Sequence, residues 1–149
     1  MLSNCNSTQE LWNKVNDMID QWLRERQQLI QLYNQLLESS ANEFDLPLWQ
    51  SFCALLVDYT SIGHFEIYEQ LISESKVFED QRAVDWAIEV YPRINAITQS
   101  TLSFNDLCDK AKLQDSNSLL ASLVVLDEQL SERFELEDSL IEVLHKAHK

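Results

Sequence analysis

An all-α fold, an antiparallel up-down-up-down four-helix bundle with long, partly kinked helices, is what this sequence predicts. The chain has 149 residues with one glycine and two prolines, too few turn residues for an all-β fold, which needs them at short intervals. Four long segments repeat apolar residues every three or four positions, the period of one helix face. The connections between them are short, which favours antiparallel neighbours.

The first helix is predicted to start at Ser7, where "STQE" has the S-x-x-E capping-box pattern. Leu11, Val15, Met18, Trp22, Leu29, Leu32 and Leu36 form its seam, which is broken at Glu25. Trp12, Ile19, Leu23, Ile30, Tyr33 and Leu37 form a second ridge, and two ridges make the wide apolar face of a bundle helix. "ESSANEFD" reads as a loop. Asp45 is placed to cap the second helix, which tolerates Pro47 in its first turn and runs to about Glu74. A third segment spans roughly Gln81 to Lys110 and contains Pro92, which predicts a kink or a restart. After the turn residues of "KLQDSNS", the fourth helix carries Leu119, Leu123, Leu126, Leu130, Phe134, Ile141 and Leu144. The stretch "ERFELED" reads as a solvated acidic face with a weak Arg133–Glu137 pair four residues apart. Residues 1–149 are expected to form a single helical-bundle domain.

Composition excludes several classes. Eleven basic against twenty-five acidic residues give a net charge of −14. That opposes direct DNA binding, which depends on neutralising phosphates, and favours a basic partner. No apolar run approaches the length of a membrane helix, and "MLSNCNSTQE" lacks the pattern of a secretory signal. The expected location is the cytoplasm. Cys5, Cys53 and Cys108 are odd in number and far apart, so free thiols are expected. Neither a Walker loop nor a dinucleotide fingerprint is present, and Cys53 and His64 lie about three helical turns apart on one helix. These patterns point away from an enzyme. Glu142 with His145 is the single Glu-x-x-His pair, so neither a metal nor a cofactor is expected.

The second helix is unlike the others. It is apolar nearly all round, so it is covered either by its own chain or by a partner. Its third stripe mixes Ala54, Asp58, Ser61, Ile62, Phe65, Glu69 and Ile72, the composition of an apolar interface centre with an acidic anchor. Gly63 lies within this apolar stretch, where glycine costs roughly 0.5–1 kcal/mol against alanine. Close packing inside the bundle and close approach by a partner both account for it. On the first helix, Arg24 and Arg26 flank the Trp22 region, as an internal ion pair or as a charged rim. Trp22 reads as core or as an interface anchor.

Several blocks in order resemble one family. "FCALLVDYTSIGHFEIYE", "IDQWLRERQQLI", "YPRINAIT", "SFNDLCD" and "RFELEDSLIEVLHKAH" are similar to the regulator of sigma D family, the Rsd/AlgQ anti-sigma factors, and most like its AlgQ branch. The resemblance covers about Cys5 to His148. It implies a helical protein that binds region four of the primary sigma factor of bacterial RNA polymerase, masking its contacts with core polymerase and promoter DNA. The sigma-contacting acid of the family falls on Asp58. The "GHF" block falls on Gly63, His64 and Phe65, and Ile62 stands where the family pattern has a small residue. The candidate partner surface is therefore Asp58, Ser61, Ile62, Gly63, His64 and Phe65, with Trp22 and Arg26 from the first helix. A monomer is expected. The alternatives are a hemerythrin-like metal-binding bundle and an adaptor bundle with another protein partner.

Overall fold

The computed structural model describes the backbone of residues 2–39, 45–109 and 116–148, and their side chains except those of residues 2–7, Ser39, His64 and Ser116. The chain is an all-α four-helix bundle. Helix α1 is Leu2–Ser39, α2 is Leu46–Ile62, a π-helical turn covers Gly63–Ile67, α3 is Tyr68–Val77, α4 is Gln81–Asp109 and α5 is Ser116–Leu144. A 3₁₀ turn, Lys146–His148, follows α5. Helix α2, the π turn and α3 run on as one continuous rod, the second helix of the bundle.

The predicted start of that rod is observed. Asp45 accepts a hydrogen bond from the Leu48 amide at 3.1 Å, and Pro47 sits in the first turn. One local expectation is corrected. Helix α1 begins at Leu2 and passes through Ser7, because residues 2–6 contain no glycine or proline to stop it. Of the two readings of Pro92, the restart is not the one observed: helix α4 runs on through it, with Pro92 on its exposed side where water can meet the carbonyl left without a donor. The predicted loops at 38–45 and 112–118 lie mostly outside the described residues.

Contacts run in opposite directions along three adjoining pairs of helices. Trp22 meets Tyr59 and Tyr33 meets Phe52 between α1 and α2. Trp12 meets His145, and Arg26 meets Asp138, between α1 and the C-terminal helix. Arg133 reaches Thr98, and Gln129 reaches Ser100, between α5 and α4. Trp22, Phe52, Leu56, Tyr59, Ile94, Leu123, Leu126 and Leu144 lie in one continuous apolar core.

The core also holds charge. Arg133 and Glu137 are both 0% exposed, which overturns their reading as a solvated pair. Glu137 accepts from Tyr59 Oη at 2.5 Å, Tyr68 Oη at 2.8 Å, Arg133 Nε at 3.0 Å and Arg26 Nη2 at 3.3 Å. Burial pushes both tyrosine hydroxyls well up, with the Glu137 charge adding to it, so they remain donors. Arg133 uses its remaining nitrogens on Thr98 Oγ1 at 3.0 Å and the Thr60 carbonyl at 3.2 Å. A carboxylate with four donors is affordable inside a protein, whereas the same group alone is not.

Candidate functional site

The site is built where α1 crosses the widened part of the second helix. The π turn is closed by a bond from the Tyr68 amide to the Gly63 carbonyl, five residues back. Such insertions rotate the residues beyond them relative to an ideal helix and recur at functional positions. Here the turn begins at Gly63, whose φ of −56° is ordinary α-helix. Conformational freedom is therefore not the reason for glycine. A Cβ there would lie 2.6 Å from Cζ2 of Trp22 and 3.4 Å from Nη2 of Arg133. Gly63 makes room for an indole of this chain, so the close approach is internal.

Trp22 is 1% exposed, stacks on Tyr59 at 4.9 Å and donates to the Tyr59 carbonyl at 3.0 Å. Arg26 is 8% exposed and is spent on Tyr59, Glu137 and Asp138. The structure thus places Trp22 and Arg26 behind the candidate surface, where they hold its floor and do not project from it. One of the two sequence readings of Arg26, the internal ion pair, is the observed one.

The third stripe of the second helix faces outward. Ala54 and Asp58 are exposed, Ser61 and Ile62 are half-buried, and Phe65 is 68% exposed. The side chain of His64 lies outside the described residues. Between this stripe and α1 is a groove of about 530 Å³. Met18, Leu55, Ile62 and Ile67 supply apolar walls, and Trp22 lies at its base. Glu25, Asp58 and Glu66 supply three carboxylates against one cation, Arg24.

Sequence reasoning missed Glu25 as a site residue. Its signal was the break in the α1 seam, where an acid takes a position that should be apolar. Burial pushes its carboxyl up to about 7, and a hydrogen bond with Asp58 and the charge of Asp58 act in the same direction.

Cys53 and Cys108 are free thiols, both buried; Cys5 lies outside the described side chains. The neighbouring Cys108 thiol, with burial, pushes the Cys53 thiol far up, which makes it unreactive. His145 is enclosed between the Trp12 ring and the Glu74 carboxylate. Among the described residues no group of three or more His, Cys, Asp or Glu is placed to hold a metal ion. No described helix is long and apolar enough to cross a membrane.

Comparison with known proteins places this arrangement. Residues 1–145 match the family described as regulator of RNA polymerase sigma(70) subunit, Rsd/AlgQ. The match is to the joint family and does not separate its AlgQ branch. A regulator of sigma D from Enterobacter sp. (strain 638) is 34% identical over 148 residues, covering 95% of this chain and 88% of the relative. Regulators of sigma D from Pectobacterium carotovorum subsp. carotovorum (strain PC1) and Pectobacterium atrosepticum are 32% and 33% identical, each covering 97% of this chain and 99% of the relative. No solved structure matches the chain significantly. The chain belongs to the Rsd/AlgQ family of regulators of the RNA polymerase sigma(70) subunit.

Proposed function

We propose that this chain is an anti-sigma factor that binds region four of the primary sigma factor and blocks its contacts with core RNA polymerase and promoter DNA. It acts as a cytoplasmic monomer, by protein–protein contact, with no catalytic step and no direct contact to DNA. One observation carries the reading: in a member of a sigma(70)-regulator family, an exposed carboxylate, Asp58, stands beside the apolar Ile62 and Phe65 at the lip of an acidic groove.

The chemistry fits a promoter-reading module. A surface that grips phosphates is basic, and a chain of net charge −14 can occupy it in their place. Asp58 pairs with an arginine of the sigma domain. Phe65 and Ile62 cover that pair and exclude water, which raises the strength of the ion pair. Ser61, the His64 position and Gly63 complete the contacting face, and Trp22 and Arg26 keep its base rigid.

Titration of the isolated sigma C-terminal domain into this protein at two salt concentrations tests the proposal. A complex is expected, forming more slowly at high salt. Asp58→Ala should lower affinity at least tenfold, since breaking a desolvated charge pair costs about 2–5 kcal/mol. Its folding should be unaffected, because Asp58 is exposed. Lack of any complex overturns the reading, and wild-type affinity in Asp58→Ala removes Asp58 from it.

A further inference from the structure

The second helix of the bundle carries one residue more than its core register needs. Before the π turn the rod buries Phe52 and Cys53, then Leu56, then Tyr59 and Thr60. Gly63 follows, buried against Trp22. Continued at 3.6 residues per turn, that pattern would bury Glu66 and Ile67, then Gln70, then Ser73 and Glu74. The buried groups are instead Ile67 and Tyr68, then Leu71, then Glu74 and Ser75, each one position later. The π turn Gly63–Ile67 absorbs that position. A regular helix one residue shorter would bury the same side chains, so the core does not require the insertion. Its effect is outward. Between Phe52 and Ile62 exposed residues come singly, as Ala54 and Asp58; in the turn Phe65 and Glu66 are exposed side by side.

Two side chains of α5 hold this turn at both ends. Tyr59, before it, donates to Oε1 of Glu137 at 2.5 Å, and Tyr68, after it, donates to Oε2 of the same carboxylate at 2.8 Å. The tyrosines are nine positions apart, which on a regular α-helix turns them about 180° from each other. The inserted residue takes out one step of about 100° and returns them to one side of the rod. They can share a carboxylate only while the wide turn is in place. Arg133, bonded to Glu137 through Nε at 3.0 Å, adds a third hold, donating from Nη2 to the Thr60 carbonyl at 3.2 Å. Glu137 and Arg133 are fully buried, so no partner touches them.

We propose that Glu137 is the positioning group of the partner face: through Tyr59 and Tyr68 it pins both ends of the π turn and fixes Phe65 on the outside, beside Asp58 and Ile62. This rests on the reading given under Proposed function and adds to it the residues that set the shape of the contacting surface. An inserted residue released from its pins can shift along the helix, and each residue it passes turns by about 100°. Phe65 lies between the pins and would leave the face. Asp58 precedes both and would stay. The partner then binds only those molecules in which Phe65 is still presented, and its apparent affinity falls by that fraction.

The experiment uses Tyr68→Phe, which removes one hydroxyl, keeps the ring against Trp22 and leaves Glu137 its bonds from Tyr59, Arg133 and Arg26. The isolated sigma C-terminal domain is titrated into the full chain at a temperature where circular dichroism shows wild type and all variants folded. Tyr68→Phe should bind about three- to tenfold more weakly. Phe65→Ala should bind about tenfold more weakly, and adding Tyr68→Phe to it should weaken binding little further. Added to Asp58→Ala, Tyr68→Phe should keep its full effect, because Asp58 lies outside the pinned span. Ile97→Val, a change in the α4 core away from the turn, should lower the melting temperature and leave affinity as in wild type. Wild-type affinity in Tyr68→Phe, a loss that multiplies in full with that of Phe65→Ala, or an equal loss in Ile97→Val overturns this inference and leaves the anti-sigma reading intact. If wild type binds no sigma domain, that reading fails and this inference falls with it.

Discussion

Gly63→Ala adds one methyl group at the point where the second helix presses hardest on α1. The new Cβ would stand 2.6 Å from Cζ2 and 3.2 Å from Cε2 of Trp22, about an ångström inside normal carbon–carbon contact for the nearer atom. Trp22 has nowhere to go. It is 1% exposed, its Nε1 is tied to the Tyr59 carbonyl, and its ring lies between Tyr59 and the edge of Tyr68. Overpacking of this kind costs about 1–3 kcal/mol. Alanine gives back roughly 0.5–1 kcal/mol of helix propensity. Because Trp22 cannot move, the overpacking falls in the upper half of its range, and the net expectation is a loss of about 1–2.5 kcal/mol, or a melting temperature lower by about 2–10 °C for a chain of this length. Urea and thermal unfolding followed by far-ultraviolet circular dichroism measure it. Trp22→Phe removes Cζ2, and it leaves no orphaned carbonyl, because Tyr59 O also accepts from the Gly63 amide. Combined with Gly63→Ala it should cost less than the two single losses together, with a coupling of about 0.5–3 kcal/mol. A Gly63→Ala protein as stable as wild type, or strict additivity of the two changes, would refute the claim that this glycine exists to admit an indole.

Two other outcomes are expected. Glu137→Ala leaves Arg26 and Arg133 buried without their shared counter-charge and should cost about 3–5 kcal/mol in urea unfolding; a loss below about 1 kcal/mol would show that the network is not a unit. Glu25 bears on stability through pH: its folded-state carboxyl is raised from 4.5 to about 7, so its stabilising share is whole below about pH 4.5 and is lost as pH rises through about 7. With the effect reduced for solvent exposure to about 1 kcal/mol, Glu25→Gln should match wild type near pH 5 and exceed it in stability by that amount near pH 8.

Much of the architecture was legible in the residues themselves. Helix number, the apolar seams and the start of the second helix at Asp45 and Pro47 are local matters, written in spacings of three and four and in one capping side chain. The outward stripe of Asp58, Ile62 and Phe65 was legible as a face of mixed character, and the family blocks identify the chain with sigma regulation. Two gaps in the seams were visible but mute. Glu25 interrupts the run of α1, and Glu137 stands between Phe134 and Ile141 where α5 should be apolar. Only the packed structure separates them: Glu137 meets four donors in the core, from two tyrosines and two arginines, while Glu25 lies with another acid at a groove. Likewise Gly63 could be flagged from its place in a helix, but the atom it makes room for belongs to a residue 41 positions earlier. Periodicity reports which side of a helix turns inward, since that depends on neighbours one turn away. What each inward group meets depends on how the helices dock, and no spacing along a single helix carries that.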